Sequence, residues 1–120
     1  MGRILIADDH DALRRGLARG LSEAGHDVEE ASNGNAAIGR LHDGHFDVVL
    51  SDLKMPNMGG IELLEHINRV MPNVVTVIMT GFGTVETAID AMKRGAYDYV
   101  LKPFRIEEVV HIIQRGLEKR

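Results

Sequence analysis

Phe46-Asp47-Val48-Val49-Leu50-Ser51-Asp52 decides how this chain folds. Three consecutive apolar residues, two of them β-branched, predict a strand buried on both faces. The run ends on a carboxylate that has no apolar reason to be there. A buried strand delivers its last side chain to the rim of a sheet, so the chemistry of the chain is expected at that rim.

The rest of the chain repeats the same grammar. Arg3 to Ala7 reads as a short apolar strand and is followed by the acidic cluster Asp8-Asp9-His10-Asp11. Asp9 or Asp11 can cap the next helix, whose Leu13, Leu17 and Leu21 recur at helical spacing and whose end is marked by Gly25. Val28 to Ala31 makes a second strand, and the charges of Asp27, Glu29 and Glu30 place it at an edge. Asn33-Gly34 reads as a turn, and Ala37, Ile38 and Leu41 form a helical stripe that stops at Asp43-Gly44.

Beyond Asp52, Met55-Pro56-Asn57-Met58-Gly59-Gly60 is too rich in turn formers for helix or strand. Ile61, Leu64, Ile67 and Met71 predict a third helix, ended by Pro72-Asn73. Val74 to Met79 is a near-continuous apolar strand that finishes on the polar Thr80, before the break Gly81-Phe82-Gly83. Val85, Ala88, Ile89 and Met92 give a fourth helical stripe, closed by Gly95. Tyr97 to Leu101 is the last strand, interrupted by Lys102-Pro103, and Ile106, Val109, Val110, Ile113 and Leu117 supply a fifth helix.

Five strand–helix units with β-branched strands imply an α/β fold, a doubly wound parallel sheet covered by helices on both faces, because each parallel connection needs a crossover. With 120 residues and 44% hydrophobic content, one domain over residues 1–120 is expected. The chain has no cysteine, which excludes disulfides, thiolate zinc sites and cysteine nucleophiles and fits a reducing cytoplasm. No apolar run approaches the about 18 residues of a membrane span. A net charge of −4 and no dense Lys/Arg block argue against direct nucleic-acid binding by this domain.

In open sheets of this kind ligands bind outside the carboxyl ends of the strands, where the winding reverses. Asp8-Asp9, Asp52, Thr80 and Lys102 all end strands and would share one rim. Three carboxylates crowded together repel, so either some stay protonated or the group holds a cation. Hard oxygen donors of this type suit Mg2+. A carboxylate can also act as a nucleophile toward a phosphoryl group, with Lys102 and the Thr80 hydroxyl stabilising its oxygens.

These residues resemble the receiver domains of two-component response regulators. The motifs are Ile6-Ala7-Asp8-Asp9, Ser51-Asp52-Leu53-Lys54-Met55-Pro56, Met79-Thr80-Gly81 and Lys102-Pro103-Phe104, and together they span nearly the whole chain. The resemblance implies a flavodoxin-like strand order 2-1-3-4-5. It implies that Asp52 is the phosphoacceptor, that Asp8 and Asp9 bind Mg2+ with the backbone carbonyl of Lys54, and that Thr80 and Lys102 contact the phosphoryl group. Tyr99 falls on the aromatic switch position, and the Lys102-Pro103 bond is expected to be cis, aiming the lysine into the site. The expected donor is a sensor histidine kinase or a phosphotransfer protein. The responding surface is the face made by the fourth helix, fifth strand and fifth helix, which can also form a homodimer.

Thr80 to Ala88, with Gly95-Ala96-Tyr97-Asp98-Tyr99, is similar to receivers attached to AAA+ transcriptional activators of the nitrogen-regulation type. Gly59 departs from the family pattern, which has an acidic residue there; weaker helix capping and a looser loop are expected. The end at Glu118-Lys119-Arg120 fits either a stand-alone regulator or a receiver cut from a longer protein. Such a domain would catalyse its own phosphotransfer and dephosphorylation without turning over a small molecule.

Each residue also has a plainer reading. Asp8 and Asp9 can be capping acids, Lys102 a solvated lysine, Thr80 a strand end, and Tyr99 a half-buried strand residue. His42 and His45 read as a solvated pair, His10 as pointing to solvent, and Met55, Met58, Met71, Met79 and Met92 as core filling. A haloacid-dehalogenase-like phosphatase would use Asp9 and Asp11, but no segment is long enough for its cap. A flavin carrier of the same fold needs a hydroxyl-rich loop where Asp8 to Asp11 stand, and a degenerate docking receiver would lack the intact acid set.

Overall fold

The computed structural model describes residues 2–81 and 84–119. Strands and helices alternate throughout: β1 (Arg3–Ala7), α1 (Asp11–Glu23), β2 (Asp27–Ala31), α2 (Gly34–Asp43), β3 (Val48–Asp52), α3 (Gly60–Val70), β4 (Val75–Thr80), α4 (Val85–Lys93), β5 (Asp98–Leu101) and α5 (Ile106–Lys119). Every strand pairing is parallel, in the order β2-β1-β3-β4-β5. β2, with its three charged residues, takes one edge as its composition predicts.

Alternation along the central strands divides the apolar side chains between two layers. Ile4, Ile6, Val48, Leu50, Val77, Met79 and Val100 meet Leu17 and Leu21 of α1 and Val109 and Ile113 of α5. On the other face Leu5, Ala7 and Val49 meet Ala37 and Leu41 of α2 and Leu63 and Ile67 of α3. Ile78 there packs with Leu64, Ala91 and Ala96. β3 is buried along its whole length, Ser51 and Asp52 included.

Local capping differs from the sequence reading in two places. Neither Asp9 nor Asp11 caps α1: His10 is the N-cap, its Nδ1 accepting from the Leu13 N–H at 3.3 Å. The ring is exposed, as expected, and from the start of the helix it also satisfies an otherwise orphan helix donor. Asn33-Gly34 is not a free turn; Asn33 caps α2 through its Oδ1, and Gly34 is already helical. Gly25 and Gly95 close α1 and α4 at φ values of 98° and 101°, a region that costs glycine little. Of the expected break at residues 81–83, Phe82 and Gly83 lie outside the described residues. No described helix is long and apolar enough to cross a membrane.

The tightest packing constraint lies behind Asp52. A Cβ placed on Gly60 would sit 2.4 Å from the Asp52 carbonyl oxygen, and the Gly60 N–H donates to the Leu53 carbonyl at 2.8 Å. Backbone on both sides leaves no flexible atom to yield. Gly60→Ala is expected to cost about 1–3 kcal/mol as overpacking, seen as a Tm lower by about 4–12 °C in a thermal melt. A variant melting with the wild type would show that the close approach is not constraining.

Candidate functional site

Strand register builds the site. Ala7 is level with Ser51 and Ser51 with Ile78, so Asp8 and Asp52 emerge side by side at the carboxyl ends of β1 and β3. Thr80 pairs with Leu101, which puts Lys102 one step beyond Thr80. Facing follows from alternation: Asp8 continues the Ile4–Ile6 row, Asp52 the Val48–Leu50 row and Lys102 the row of Val100, all toward α1 and α5. Thr80 instead follows Ile78, and Tyr99 is level with Ile78, so the hydroxyl and the aromatic lie on the α3–α4 side.

The acidic side chains and Lys102 converge as the sequence predicts. Asp8, Asp9 and Asp52 each offer an oxygen, and these oxygens lie within 4.8 Å of one another. Asp8 is fully buried, Asp52 is 8% exposed and Asp9 is exposed. Lys102 Nζ sits 3.1 Å from Asp8 Oδ2 and 3.5 Å from Asp52 Oδ2. The other Asp8 oxygen accepts from the His10 N–H at 2.8 Å. The Lys102-Pro103 bond is cis, and the Lys102 N–H donates to the Thr80 carbonyl at 2.8 Å.

Lys102 meets two of three crowded carboxylates, and the imbalance shows in Asp52. Burial pushes its carboxyl above the ordinary value and the neighbouring Asp8 charge adds to the effect, while Lys102 and the Leu53 N–H oppose it. A site with surplus negative charge and hard oxygen donors matches the chemistry of Mg2+. Asp8, Asp9 and Asp52 are the carboxylates that could hold such an ion. Lys54 lines the same cleft, of about 650 Å³, with Leu13 and Phe104 as its apolar wall.

Two supporting residues were not visible as site residues in the sequence. Arg14, 8% exposed, donates from Nη1 to the Asp8 carbonyl at 2.8 Å, pairs with Asp11 at 2.8 Å and reaches Glu30 from Nε at 3.0 Å. The fork ties the acid loop to α1 and β2. Its signal was present, since Arg14 occupies the buried i, i+3, i+7 row with Leu17 and Leu21. Thr87 of α4 is the second, its Oγ1 lying 3.0 Å from the Tyr99 hydroxyl. The same Oγ1 accepts from the Thr84 N–H at 2.8 Å, so the half-buried Tyr99 is fastened to the first turn of α4.

Gly59 is the N-cap of α3 and makes no side-chain cap bond, as its lack of a side chain requires. Glu62 reaches back instead, its Oε1 accepting from the Gly59 N–H at 3.1 Å. Half of a capping box is thus retained.

Comparison with known proteins is unambiguous about family. Residues 4–114 match the model of the response regulator receiver domain. The chain is 41% identical over 118 residues to the regulatory protein AtoC of Escherichia coli strain K12, covering 98% of this chain and 26% of that protein. It is 34% identical over 114 residues to the DNA-binding transcriptional regulator NtrC of Azospirillum brasilense, covering 95% of this chain and 24% of that one. The chain therefore spans about a quarter of the length of the curated relatives it matches. The receiver domain of NtrX from Brucella abortus superimposes with a TM-score of 0.92 at 32% identity, covering 98% of this chain and 99% of that one.

A raised Asp52 pKa has a definite sign in stability. The folded chain holds that proton more tightly than the unfolded chain, so ionisation of Asp52 destabilises the fold at pH above its folded-state pKa. The penalty disappears as the pH falls below the ordinary carboxyl value of 3.8. Asp52→Asn should melt higher than the wild type at pH 7 without divalent cations, with each kcal/mol of relief worth about 4 °C. The gain should shrink on acidification through about pH 4; a variant that melts lower at pH 7 would contradict the charge balance described.

Proposed function

Because the chain belongs to the response regulator receiver domain family, we propose that Asp52 accepts a phosphoryl group from a phosphohistidine, carried by a sensor histidine kinase or a phosphotransfer protein, and so sets a conformational switch. The observation that carries this reading is the Lys102 ammonium held between Asp8 and Asp52, at 3.1 and 3.5 Å. It positions a cation beside a nearly buried carboxylate that is otherwise surrounded by negative charge.

In the transfer, an Asp52 oxygen attacks phosphorus while the bond from phosphorus to the imidazole nitrogen breaks. The nitrogen keeps the electron pair and takes a proton. Asp8, Asp9, Asp52 and the Lys54 carbonyl would hold Mg2+, which when bound would neutralise charge on the phosphoryl oxygens. Lys102 leaves its pairing with the Asp52 oxygen to meet the phosphoryl oxygens, and the Thr80 hydroxyl donates to another of them. Dephosphorylation is the same chain's own slow reaction with water in this cleft.

Energetics allow such a switch. Two charge-assisted hydrogen bonds of about 1.5–3 kcal/mol each contribute about 3–6 kcal/mol. Moving a two-state equilibrium from 1:99 to 99:1 takes about 5.5 kcal/mol. Thr80 moving toward the phosphoryl group leaves room on the α3–α4 side for Tyr99, whose release from Thr87 frees the start of α4. The α4–β5–α5 face carries the exposed apolar side chains Val85, Ile89, Met92 and Leu101. That face would pass the signal to an output domain or a second copy, in the cytoplasm and without direct contact between this domain and nucleic acid.

Incubation with acetyl phosphate and Mg2+ should add the mass of one phosphoryl group to the wild type and none to Asp52→Asn, read by intact-protein mass spectrometry. Equal labelling of both proteins would overturn the assignment. Removal of Mg2+ with a chelator should abolish the labelling.

A further inference from the structure

On the outer layer, away from the acid rim, two imidazoles meet where α2 runs beside α3. His42, in the last turn of α2, is exposed, and His66, in α3, is partly buried. Their Nε2 atoms lie 3.3 Å apart, with ring centroids 5.4 Å apart and planes at 75°. The sequence suggests a solvated His42–His45 pair; the fold instead pairs His42 with a residue 24 positions away. A hydrogen bond across this gap has one Nε2 donating to the lone pair of the other.

The same separation is a chelate bite. Two metal–imidazole bonds of about 2.0–2.1 Å meeting near the tetrahedral angle put their nitrogens about 3.3–3.4 Å apart. We propose that His42 and His66 form a bidentate site for a borderline divalent transition metal, with Zn2+ as the physiological class, separate from the oxygen site at the sheet rim. Imidazole donors favour Zn2+, Cu2+ and Ni2+, whereas carboxylates and carbonyls favour Mg2+, so the two sites take different ions.

Little has to move for the metal to enter. Each ring turns about χ2, a broad and soft torsion, and the shared Nε2 proton passes to Nδ1. Partial burial and the charges of His42 and Arg69 hold His66 below its ordinary pKa, which keeps it in the ligating form at neutral pH. Among the described residues no third carboxylate or imidazole converges with this pair, so water completes the coordination. Arg69 opposes the cation and keeps the site weaker than a full protein cage. A bound ion would staple the end of α2 to α3, the helix whose first residue packs on the Asp52 carbonyl.

The test is independent of the phosphorylation reading. The full chain, kept at pH 7.5 in saturating Mg2+ to occupy the acid rim, is titrated with ZnCl2 by calorimetry and thermal melts. The wild type should gain a Zn2+-dependent rise in Tm. His42→Ala and His66→Ala, both outside the core, should each bind Zn2+ about tenfold more weakly or worse, because the second ligand of a chelate acts at high effective concentration. His45→Ala should bind as the wild type does, and Cu2+ should bind more tightly than Zn2+. A wild type that shows no Zn2+ response, or a His66→Ala chain with an unchanged isotherm, would overturn the proposal.

Discussion

Surplus negative charge held at one rim is the constraint on which the structure turns. Asp8, Asp9 and Asp52 offer oxygens within 4.8 Å of one another, and the Lys102 ammonium lies between Asp8 and Asp52. Two like charges at about 4 Å repel by roughly 4 kcal/mol at an effective dielectric of 20. Such an arrangement persists only because other parts of the fold over-determine it. Parallel register sets Asp8 and Asp52 at one level, buried apolar residues continue both strands into the core, and the Arg14 fork holds the Asp8 carbonyl from behind. The sheet holds poised the charge imbalance that a cation or a phosphoryl group would resettle.

Alternation then splits the site between two faces. Asp8, Asp52 and Lys102 continue rows that face α1 and α5, while Thr80 and Tyr99 belong to the rows that face α3 and α4. Thr80 and Lys102, on opposite faces, are joined by a backbone hydrogen bond. From there the next contacts are Tyr99 and the Thr87 hydroxyl in the first turn of α4. The two faces lie close together at the rim, because one residue step along a strand exchanges one face for the other.

Much of this was legible in the chain because the signals are local. Apolar β-branched runs that end on Asp8, Asp52, Thr80 and Lys102 identify strands and their carboxyl ends together, and the general rule for open parallel sheets does the rest. Helix stripes such as Leu13, Leu17 and Leu21 are equally local. What escaped was non-local or shared between two roles. Asp9 and Asp11 are good capping residues by type, yet His10 caps α1, because Asp11 is already helical and pairs with Arg14. Arg14 meets Glu30 only because α1 packs beside β2, a contact no local pattern carries. His42 and His66 are far apart in sequence, and only the packing of α2 on α3 joins them.

Gly59 and Gly60 show how a departure from a family pattern can be absorbed by the neighbouring geometry. An acidic residue at 59 would cap α3 with its side chain, but here a Cβ at that position would stand 3.0 Å from the Leu53 carbonyl oxygen. Gly60 lies close to the Asp52 carbonyl and donates to that of Leu53, and Glu62 satisfies the Gly59 N–H from the helix side. Loss of one capping carboxylate costs only about a few tenths of a kcal/mol relative to Asp or Ser. Two hydrogen bonds tie the loop backbone at this point, one from the Gly60 N–H to the Leu53 carbonyl and one from the Gly59 N–H to Glu62. Asp52 is thereby bounded along its main chain as well as at its side chain, which Lys102 meets at 3.5 Å.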